Sequence, residues 1–412
     1  LLTLYGTKGD KELKILILDE WLPFPLENGK KIRTFNLLSR LAPKHEILYM
    51  CYMKKPADSI KLSVIESMGI RVIPVEDRRA EKGTLRFYLQ VMLNMLSKKP
   101  FSSVYHIKKV FSRRLLEVIG SEKPDLIHCE WTNFAPFLEQ TNGIPKLIVA
   151  HNVESEIWRR LSKNTSNPLL KIVAWQQAQR IEQLEKEWYP RVNQCIAVSE
   201  RDSLVIRSYG ASVTVIENGV DVDYYSIPAE TVDRNRVFFA ASFDSFSNQD
   251  AVEFFVKEIL PRVRSVKPDI SFWMVGKDPP DRLKRYAKKY PEVHFTGTVP
   301  DVKKYISKSA ICMVPLRIGS GSRLKILEAM AMKKPVISTA IGAEGLRIDD
   351  GKNIILANRP DVFAAELLLL LDRPDQQRAL GDKGFELVKS SYDWRMLAEK
   401  QNAIWEAMEK EN

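Results

Sequence analysis

The sequence predicts an α/β protein made of two doubly wound, Rossmann-like domains that face each other across a cleft. Three observations carry that expectation. Short apolar runs bounded by charge or turn residues alternate with helical stretches along most of the chain, the pattern of parallel strands buried on both faces. The alternation stops near residue 220 and restarts after residue 236, which gives two βα series of similar size. At 412 residues the chain is also too long for one ordinary core.

In the first series Leu13–Leu18 reads as a strand, followed by a loop with Pro23, Pro25 and Gly29 and a helical pattern over Lys31–Leu41. Further strands fit Glu46–Tyr52, Arg71–Pro74, Asp125–Cys129, Lys146–Ala150, Gln194–Val198 and Val213–Ile216, with a long charged helix over Leu169–Trp188. Asn218-Gly219 marks a turn, and the polar stretch Pro228–Asn235 reads as a hinge. The second series places strands at Val237–Ala241, Ile270–Val275, Val293–Phe295, Ala310–Pro315 and Pro335–Ser338, with helices at Asp250–Val263, Asp281–Tyr290, Val302–Lys308 and Arg323–Met332. The expected division is residues 1–230, 231–390 and a terminal helical segment 391–412. Ligands of such sheets bind beyond the carboxyl ends of the strands, and with two domains the expected site is the cleft between them.

Composition narrows the function classes. Hydrophobic residues at 45% and charged residues at 28% exclude a disordered or fibrous chain. No signal-peptide pattern opens the sequence, and the longest apolar stretch, Phe363–Leu371, carries Glu366 and is too short to cross a bilayer. Cys51, Cys129, Cys195 and Cys312 are scattered, three of them in apolar runs, which argues against a disulfide scaffold or zinc site. A reducing, cytoplasmic setting is the expectation.

The net charge of +11 is concentrated. Between Arg78 and Arg114 basic residues face a single carboxylate, Glu81, and apolar side chains such as Phe87, Tyr88, Met92 and Phe101 are interleaved among them. Two readings stay open. One is contact with an anionic membrane surface or anionic acceptor through Lys98, Lys99, Lys108 and Lys109. The other is a pair of ordinary helices with a solvated basic face.

Chemistry concentrates in Ala310–Leu346, AICMVPLRIGSGSRLKILEAMAMKKPVISTAIGAEGL. A strand leads into Gly319-Ser320-Gly321-Ser322, and a helix starts near Arg323. Glycines permit a tight turn and close approach to a ligand, and a helix N-terminus behind them suits an anion. Ser320 and Ser322 offer hydroxyls, Arg323 and Lys325 offer positive charge for a diphosphate, and Glu328 could accept from ribose hydroxyls. No Walker Lys-Ser/Thr pair follows, and the third glycine of a dinucleotide fingerprint is missing. A purely structural glycine turn is the competing reading. His151 ends the strand Lys146–Ala150 where doubly wound folds place functional residues, against the simpler role of a capping or core histidine. Asn28 and Gly29 fit a loop whose backbone nears a diphosphate, or a plain turn. Asp221-Val222-Asp223 spells D-x-D but falls in a turn, so no essential metal or other cofactor is expected. His128 and Glu130 end another strand, near an acceptor or simply packed.

The run from Ala310 resembles the donor-binding segment of retaining GT-B glycosyltransferases of the GT4 family. It is most similar to an exopolysaccharide-associated subgroup with a G-S-G-(S/T)-R-L-K-x-L-E-A-M-A pattern. LKILIL and the Gly29 loop, HNVE at His151–Glu154, IENGVD at Ile216–Asp221, SFDSFSNQDAV at Ser242–Val252 and PVIST with GAEGL in Pro335–Leu346 extend the likeness over nearly the whole chain. The resemblance implies transfer of a sugar from a nucleoside-diphosphate donor, UDP or GDP type, with retention, to a glycan or lipid-linked acceptor of a surface polysaccharide. It implies that Glu328 holds the ribose, that His151 approaches the donor sugar, and that Asn28, Gly29, Ser242, Asn248, Gly276, Ser320, Gly321, Ser322 and Leu324 line the donor site. Arg323 and Lys325 would supply the diphosphate charge. The first glutamate of the family's E-x7-E motif falls on Ser320 here, and the usual Arg/Lys pair is not obvious around Ser242–Gln249. The terminal stretch with Tyr392, Trp394, Leu397 and Trp405 would return to the first domain, and domain closure would exclude water. Other readings are a sugar-nucleotide epimerase or phosphorylase, a non-catalytic partner subunit, and a nucleic-acid binder. The last lacks any recognised signature, and no nucleic-acid partner is expected.

Overall fold

The computed structural model describes residues 13–54, 59–81, 83–165, 167–226, 231–243, 245–277, 279–318 and 323–410. The chain forms two compact units, Leu1–Glu217 with Leu397–Asn412, and Asn218–Met396. The change of unit therefore falls at Asn218-Gly219, where the sequence suggests a turn and the chain runs as irregular backbone. Of the polar stretch expected as a hinge, residues 228–230 lie outside the described residues, and from Asp233 it belongs to a strand. The return to the first unit comes at Leu397, inside the terminal helix Trp394–Lys410.

The first unit is built on β1 (Lys14–Leu18), β2 (Glu46–Met53), β3 (Arg71–Glu76), β4 (Leu126–Cys129), β5 (Lys146–Ala150), β6 (Gln194–Ala197) and β7 (Val213–Val215). They pair in parallel in the order β3-β2-β1-β4-β5-β6-β7. The apolar runs are strands because both faces are covered: every residue of β1 and β5 after the first is buried. Phe111, Phe134 and Phe137 fill one side against Ile127 and Ile148.

The second unit repeats the plan with β8 (Asp233–Ala240), β9 (Ser271–Val275), β10 (Val293–Phe295), β11 (Ser309–Val314), β12 (Val336–Ser338) and β13 (Ile355–Leu356). Its parallel order is β10-β9-β8-β11-β12-β13. In each sheet the strand order reverses direction once, between β1 and β4 and between β8 and β11. The crevice beyond the carboxyl ends at such a reversal is where these folds hold ligands.

One expected helix is divided. The pattern over Asp250–Val263 forms a helix Phe246–Phe254, a π turn Phe255–Ile259 and a last helical turn Leu260–Arg264. Pro261 is the cause, since it has no N–H to return to the preceding turn. The helix Leu324–Ala331, which carries most of the predicted chemistry, is held by helix Pro374–Ser391. Their approach requires Gly381, where a Cβ would lie 2.1 Å from the Lys333 carbonyl oxygen. All four cysteines are free and buried. Burial pushes the Cys129, Cys195 and Cys312 thiols up to about 12, which makes them inert core residues. No helix among the described residues is long and apolar enough to cross a membrane.

Candidate functional site

In the second unit the predicted donor residues converge beyond β8, β9 and β11. β8 runs into the loop that carries Ser242, and Asn248 follows on helix Phe246–Phe254. The Asn248 Nδ2 donates to the Ser242 carbonyl at 2.7 Å, and its Oδ1 accepts from Lys325 Nζ at 3.1 Å. One amide thus ties the loop after β8 to the helix after β11. Gly276, the first residue past β9, makes this possible. Its φ is +149° and a Cβ there would sit 1.7 Å from the Ala241 carbonyl oxygen. Any larger residue would displace the backbone immediately before Ser242.

Lys325 lies over the Phe239 ring at 4.7 Å. Burial pulls its ammonium down to about 8, a shift that Cys312 and Glu328 oppose and Arg323 reinforces. Among the described residues no carboxylate forms an ion pair with it. The Glu328 carboxyl, one turn along the helix, is raised by burial against the opposing pull of the Tyr225 hydroxyl and of Lys325. Arg323, at the N-cap position, is buried and pairs with Glu344 at 3.6 Å. Leu324 opens the helix, half-buried against the core. Ser320, Gly321 and Ser322 lie outside the described residues.

The first unit carries a denser cluster beyond β1, β4 and β5. Asp19, directly after β1, takes Lys30 Nζ and, at 2.6 Å, the Tyr49 hydroxyl. Burial alone would lower the Lys30 ammonium, but Asp19 raises it instead. Glu130, directly after β4, accepts from Thr34 Oγ1 and from His128 Nε2 at 2.6 Å. The histidine tautomer follows from the far side of the ring. Trp405 Nε1, which can only donate, lies 3.2 Å from His128 Nδ1, so Nδ1 accepts and Nε2 carries the proton toward Glu130. Burial would raise the Glu130 carboxyl, but hydrogen bonds from His128 and His151 hold it well below the usual carboxylate range.

His151 sits beyond β5 as its position in the sequence predicts, with Nε2 3.0 Å from the Glu130 carbonyl and 3.4 Å from its Oε1. Burial lowers the His151 pKa, with Glu130 opposing, so the ring is neutral near pH 7. Asn28 and Gly29 are not a loop. Gly29 is the first residue of helix Gly29–Leu41, and Asn28 is its N-cap, accepting from Lys31 N at 3.0 Å. Asp221 likewise caps the short helix Val222–Tyr225, and Asp223 pairs with Arg395 at 2.9 Å, so both D-x-D carboxylates have structural work. Lys98, Lys99 and Lys109 are exposed, while Lys108 is half-buried with Nζ on the Val104 carbonyl.

The sequence reading missed Asp19, Lys30 and Tyr225, and left Glu130 undecided. A signal for two of them was present. Asp19 and Glu130 each follow an apolar strand immediately, as His151 does, and Leu18 and Cys129 are register partners, so the two carboxylates end neighbouring strands.

Both units match known families. The model described as glycosyl transferases group 1 matches residues 234–373, and that of glycosyltransferase family 4 matches residues 67–224. Glycosyltransferase models thus match parts of both units, the family 4 model in the first and the group 1 model in the second. An uncharacterized 44.6 kDa protein of a Klebsiella pneumoniae cps region is 20% identical over 92% of this chain and 96% of its own. Among solved structures, Anabaena HepE in complex with UDP and glucose is 13% identical, with a TM-score of 0.66 over 96% of this chain and 100% of that one. Sucrose-phosphate synthase of Thermosynechococcus elongatus is 17% identical, with a TM-score of 0.69 over 97% and 100%. The structural matches, rather than these low identities, show the two-sheet, GT-B fold for the chain.

Proposed function

We propose that this GT4-like glycosyltransferase moves a sugar from a nucleoside-diphosphate sugar, with retention at the anomeric carbon, to a glycan or lipid-linked acceptor of a surface polysaccharide. The observation that carries the donor assignment is Lys325. It is a partly enclosed cation on the first turn of a helix, held by a neutral amide, with its charge unmatched by any ion pair among the described residues. An anion entering at the switch point of the second sheet would supply that match. HepE, which shares the fold, binds UDP and glucose. The relative in a cps region supports the surface-polysaccharide part of the reading.

In this reading the leaving diphosphate gathers negative charge as the glycosidic bond to the donor breaks. Lys325, with Arg323 and the helix amides, stabilises that charge from positions fixed before reaction. Glu328 accepts from the ribose, and Asn248 keeps Lys325 aimed. His151, neutral at pH 7, contacts the sugar being transferred. The acceptor hydroxyl's proton passes to the donor phosphate, so no protein nucleophile and no metal has a step.

The test is a thermal-shift panel of UDP, GDP and ADP and their sugars, with and without EDTA, followed by NMR of the product's anomeric configuration. A ligand that binds only the folded chain raises its stability by mass action. One nucleoside diphosphate should give a selective, EDTA-insensitive shift, and the product should keep the donor's configuration. Absence of any shift would replace this reading with that of a non-catalytic partner subunit, and an inverted product would end the retaining assignment.

A further inference from the structure

Helix Leu85–Asn94 presents its apolar stripe outward. Leu85, Tyr88, Leu89, Met92 and Leu93 recur at the spacing of a core-facing helix, yet all are exposed, Leu85 at 77% and Leu93 at 70%, and Leu96 beyond them is 90% exposed. The one buried side chain of the helix is polar, Asn94. Its carbonyl accepts from Arg180 Nη1 at 2.9 Å and its Oδ1 from Gln177 Nε2 at 3.2 Å. The Met95 carbonyl takes Arg180 Nη2 at 2.8 Å and Gln176 Nε2 at 3.1 Å. Those bonds seat the segment on helix Pro168–Trp188, whose own first turns expose Leu169 at 74% and Trp175 at 58%. Those bonds and Phe87, packed edge-on against Phe101 and Tyr105, hold the segment down, while the longer apolar stripe of Leu85, Tyr88, Leu89, Met92 and Leu93 faces out.

Charge says what covers this face. No aspartate or glutamate occurs from Gly83 to Leu116, or from Ile157 to Ile181, while Arg86, Lys98, Lys99 and Lys171 are exposed there. A contiguous apolar patch of this kind marks a protein or membrane contact. Protein interfaces are depleted in lysine, and a second copy of the chain would set these cations against themselves. An apolar face with a carboxylate-free basic rim suits anionic lipid.

We propose that this face docks on an anionic bilayer, with Leu93, Leu96 and Trp175 entering the headgroup boundary and Arg86, Lys98, Lys99 and Lys171 against lipid phosphates. Of the two open readings of the basic segment, this is the membrane one, but the lysines are only its rim and the apolar stripe is its centre. Lys108, half-buried on the Val104 carbonyl, takes no part.

The experiment is vesicle flotation of the whole chain without sugar nucleotide, so its outcome is separable from the donor reading. Vesicles of phosphatidylcholine alone are compared with vesicles containing phosphatidylglycerol. Binding is expected only to the anionic vesicles, weakened but not abolished by high salt. Lys98→Gln with Lys99→Gln should weaken it by about 30-fold, since each basic group near such a surface contributes roughly five-fold. Leu93→Ser with Leu96→Ser should weaken it by about ten-fold or more and remove the salt-resistant part. Trp175 should add a blue shift in emission on anionic vesicles that Trp175→Phe lacks. All these side chains are exposed, so the variants should keep the unliganded melting temperature, which is measured alongside. No vesicle binding, equal binding to both compositions, or binding indifferent to both double variants overturns the proposal. So does a dimer in solution that Leu93→Ser with Leu96→Ser dissolves, which would assign the face to a second copy.

Discussion

Replacing Lys325 with Met should change stability and ligand binding in opposite directions. Met keeps the length and bulk of the lysine stem and removes its charge. Lys325 stands at about 8 in the folded chain against 10.5 when unperturbed. At about 1.4 kcal/mol per unit, a depression of that size corresponds to roughly 3 kcal/mol of destabilisation while the group is protonated in both states. The side chain keeps part of its surface open to water, so we halve that to about 1–2 kcal/mol. The sign follows from proton counts. Below pH 8 both folded and unfolded lysine are charged and the full penalty applies. Between pH 8 and 10.5 the unfolded chain binds more protons, so wild-type stability climbs with pH, and above 10.5 the penalty is gone. Lys325→Met should therefore be more stable than wild type by about 1–2 kcal/mol at pH 7 in denaturant titrations, with the gap closing toward pH 10.5. Calorimetry with the nucleoside diphosphate that gives the thermal shift should show the reverse. Losing charge-assisted hydrogen bonds of about 1.5–3 kcal/mol weakens binding by roughly 10- to 150-fold. Wild-type affinity should also fall above pH 8, where the free lysine loses its proton, and the variant's should not. A destabilised variant that binds nucleotide as wild type does would make Lys325 a packing residue and refute the argument.

Other substitutions test the surrounding frame. Gly276→Ala should cost about 1–3 kcal/mol and disturb the Ser242 loop, because the new Cβ would overlap the Ala241 carbonyl oxygen; wild-type denaturation would show that the loop can move aside freely. Glu130→Gln should cost about 1.5–3 kcal/mol by placing an amide N–H opposite the His128 Nε2 proton, and a change within about 0.5 kcal/mol in denaturant would remove Glu130 from the centre of its network. The Glu185 carboxyl is pushed up to about 7 by burial, with the hydroxyl and amide of Ser155 opposing. From pH 4.5 to 7 the folded chain then holds the extra proton, so the Glu185 contribution is present at low pH and lost as pH rises. Glu185→Gln should gain roughly 1–3 kcal/mol over wild type at pH 8 and nothing at pH 4, and parallel pH–stability curves would refute this.

Most of the architecture was legible because parallel strands buried on both faces are continuous apolar runs. β5 and β10 carry the bounds that Lys146–Ala150 and Val293–Phe295 predict. What the pattern could not show was local backbone chemistry. Apolar spacing is blind to the missing N–H of Pro261, which divides one helix, and to Asn28, whose cap starts another at Gly29. The placement of the second-unit residues was legible, since Ser242 and Gly276 follow strand ends, Asn248 lies on the helix after β8 and Lys325 and Glu328 on the helix after β11, and the fold gathers strand ends automatically. Tyr225 was not, because it approaches Glu328 from a short helix about a hundred residues earlier in the chain. Lys30 was hidden for a similar reason. Its partner Asp19 lies before the Pro-rich loop, and nothing in either segment alone marks a pair.

The two sheets hold charge differently at equivalent places, and that difference locates the expected anion. Beyond β1 and β4 the groups are already partnered within the unit, Lys30 by the Asp19 carboxylate and Glu130 by hydrogen bonds to both of its oxygens from Thr34 and neutral His128. A ligand there would have to displace internal partners, and the loss would offset what it gained. Beyond β8 and β11 the equivalent place holds Lys325, whose hydrogen-bond partner Asn248 is neutral and whose ammonium is destabilised by burial. An anion arriving there displaces no carboxylate and relieves an existing penalty, so the cost of keeping the cation enclosed is returned when the site fills. Stability given up in the free chain becomes binding energy in the complex, which is the arrangement expected of a preorganised electrostatic site. The same logic makes the first-unit cluster a scaffold: a network satisfied internally holds the neutral His151 ring in place without any ligand.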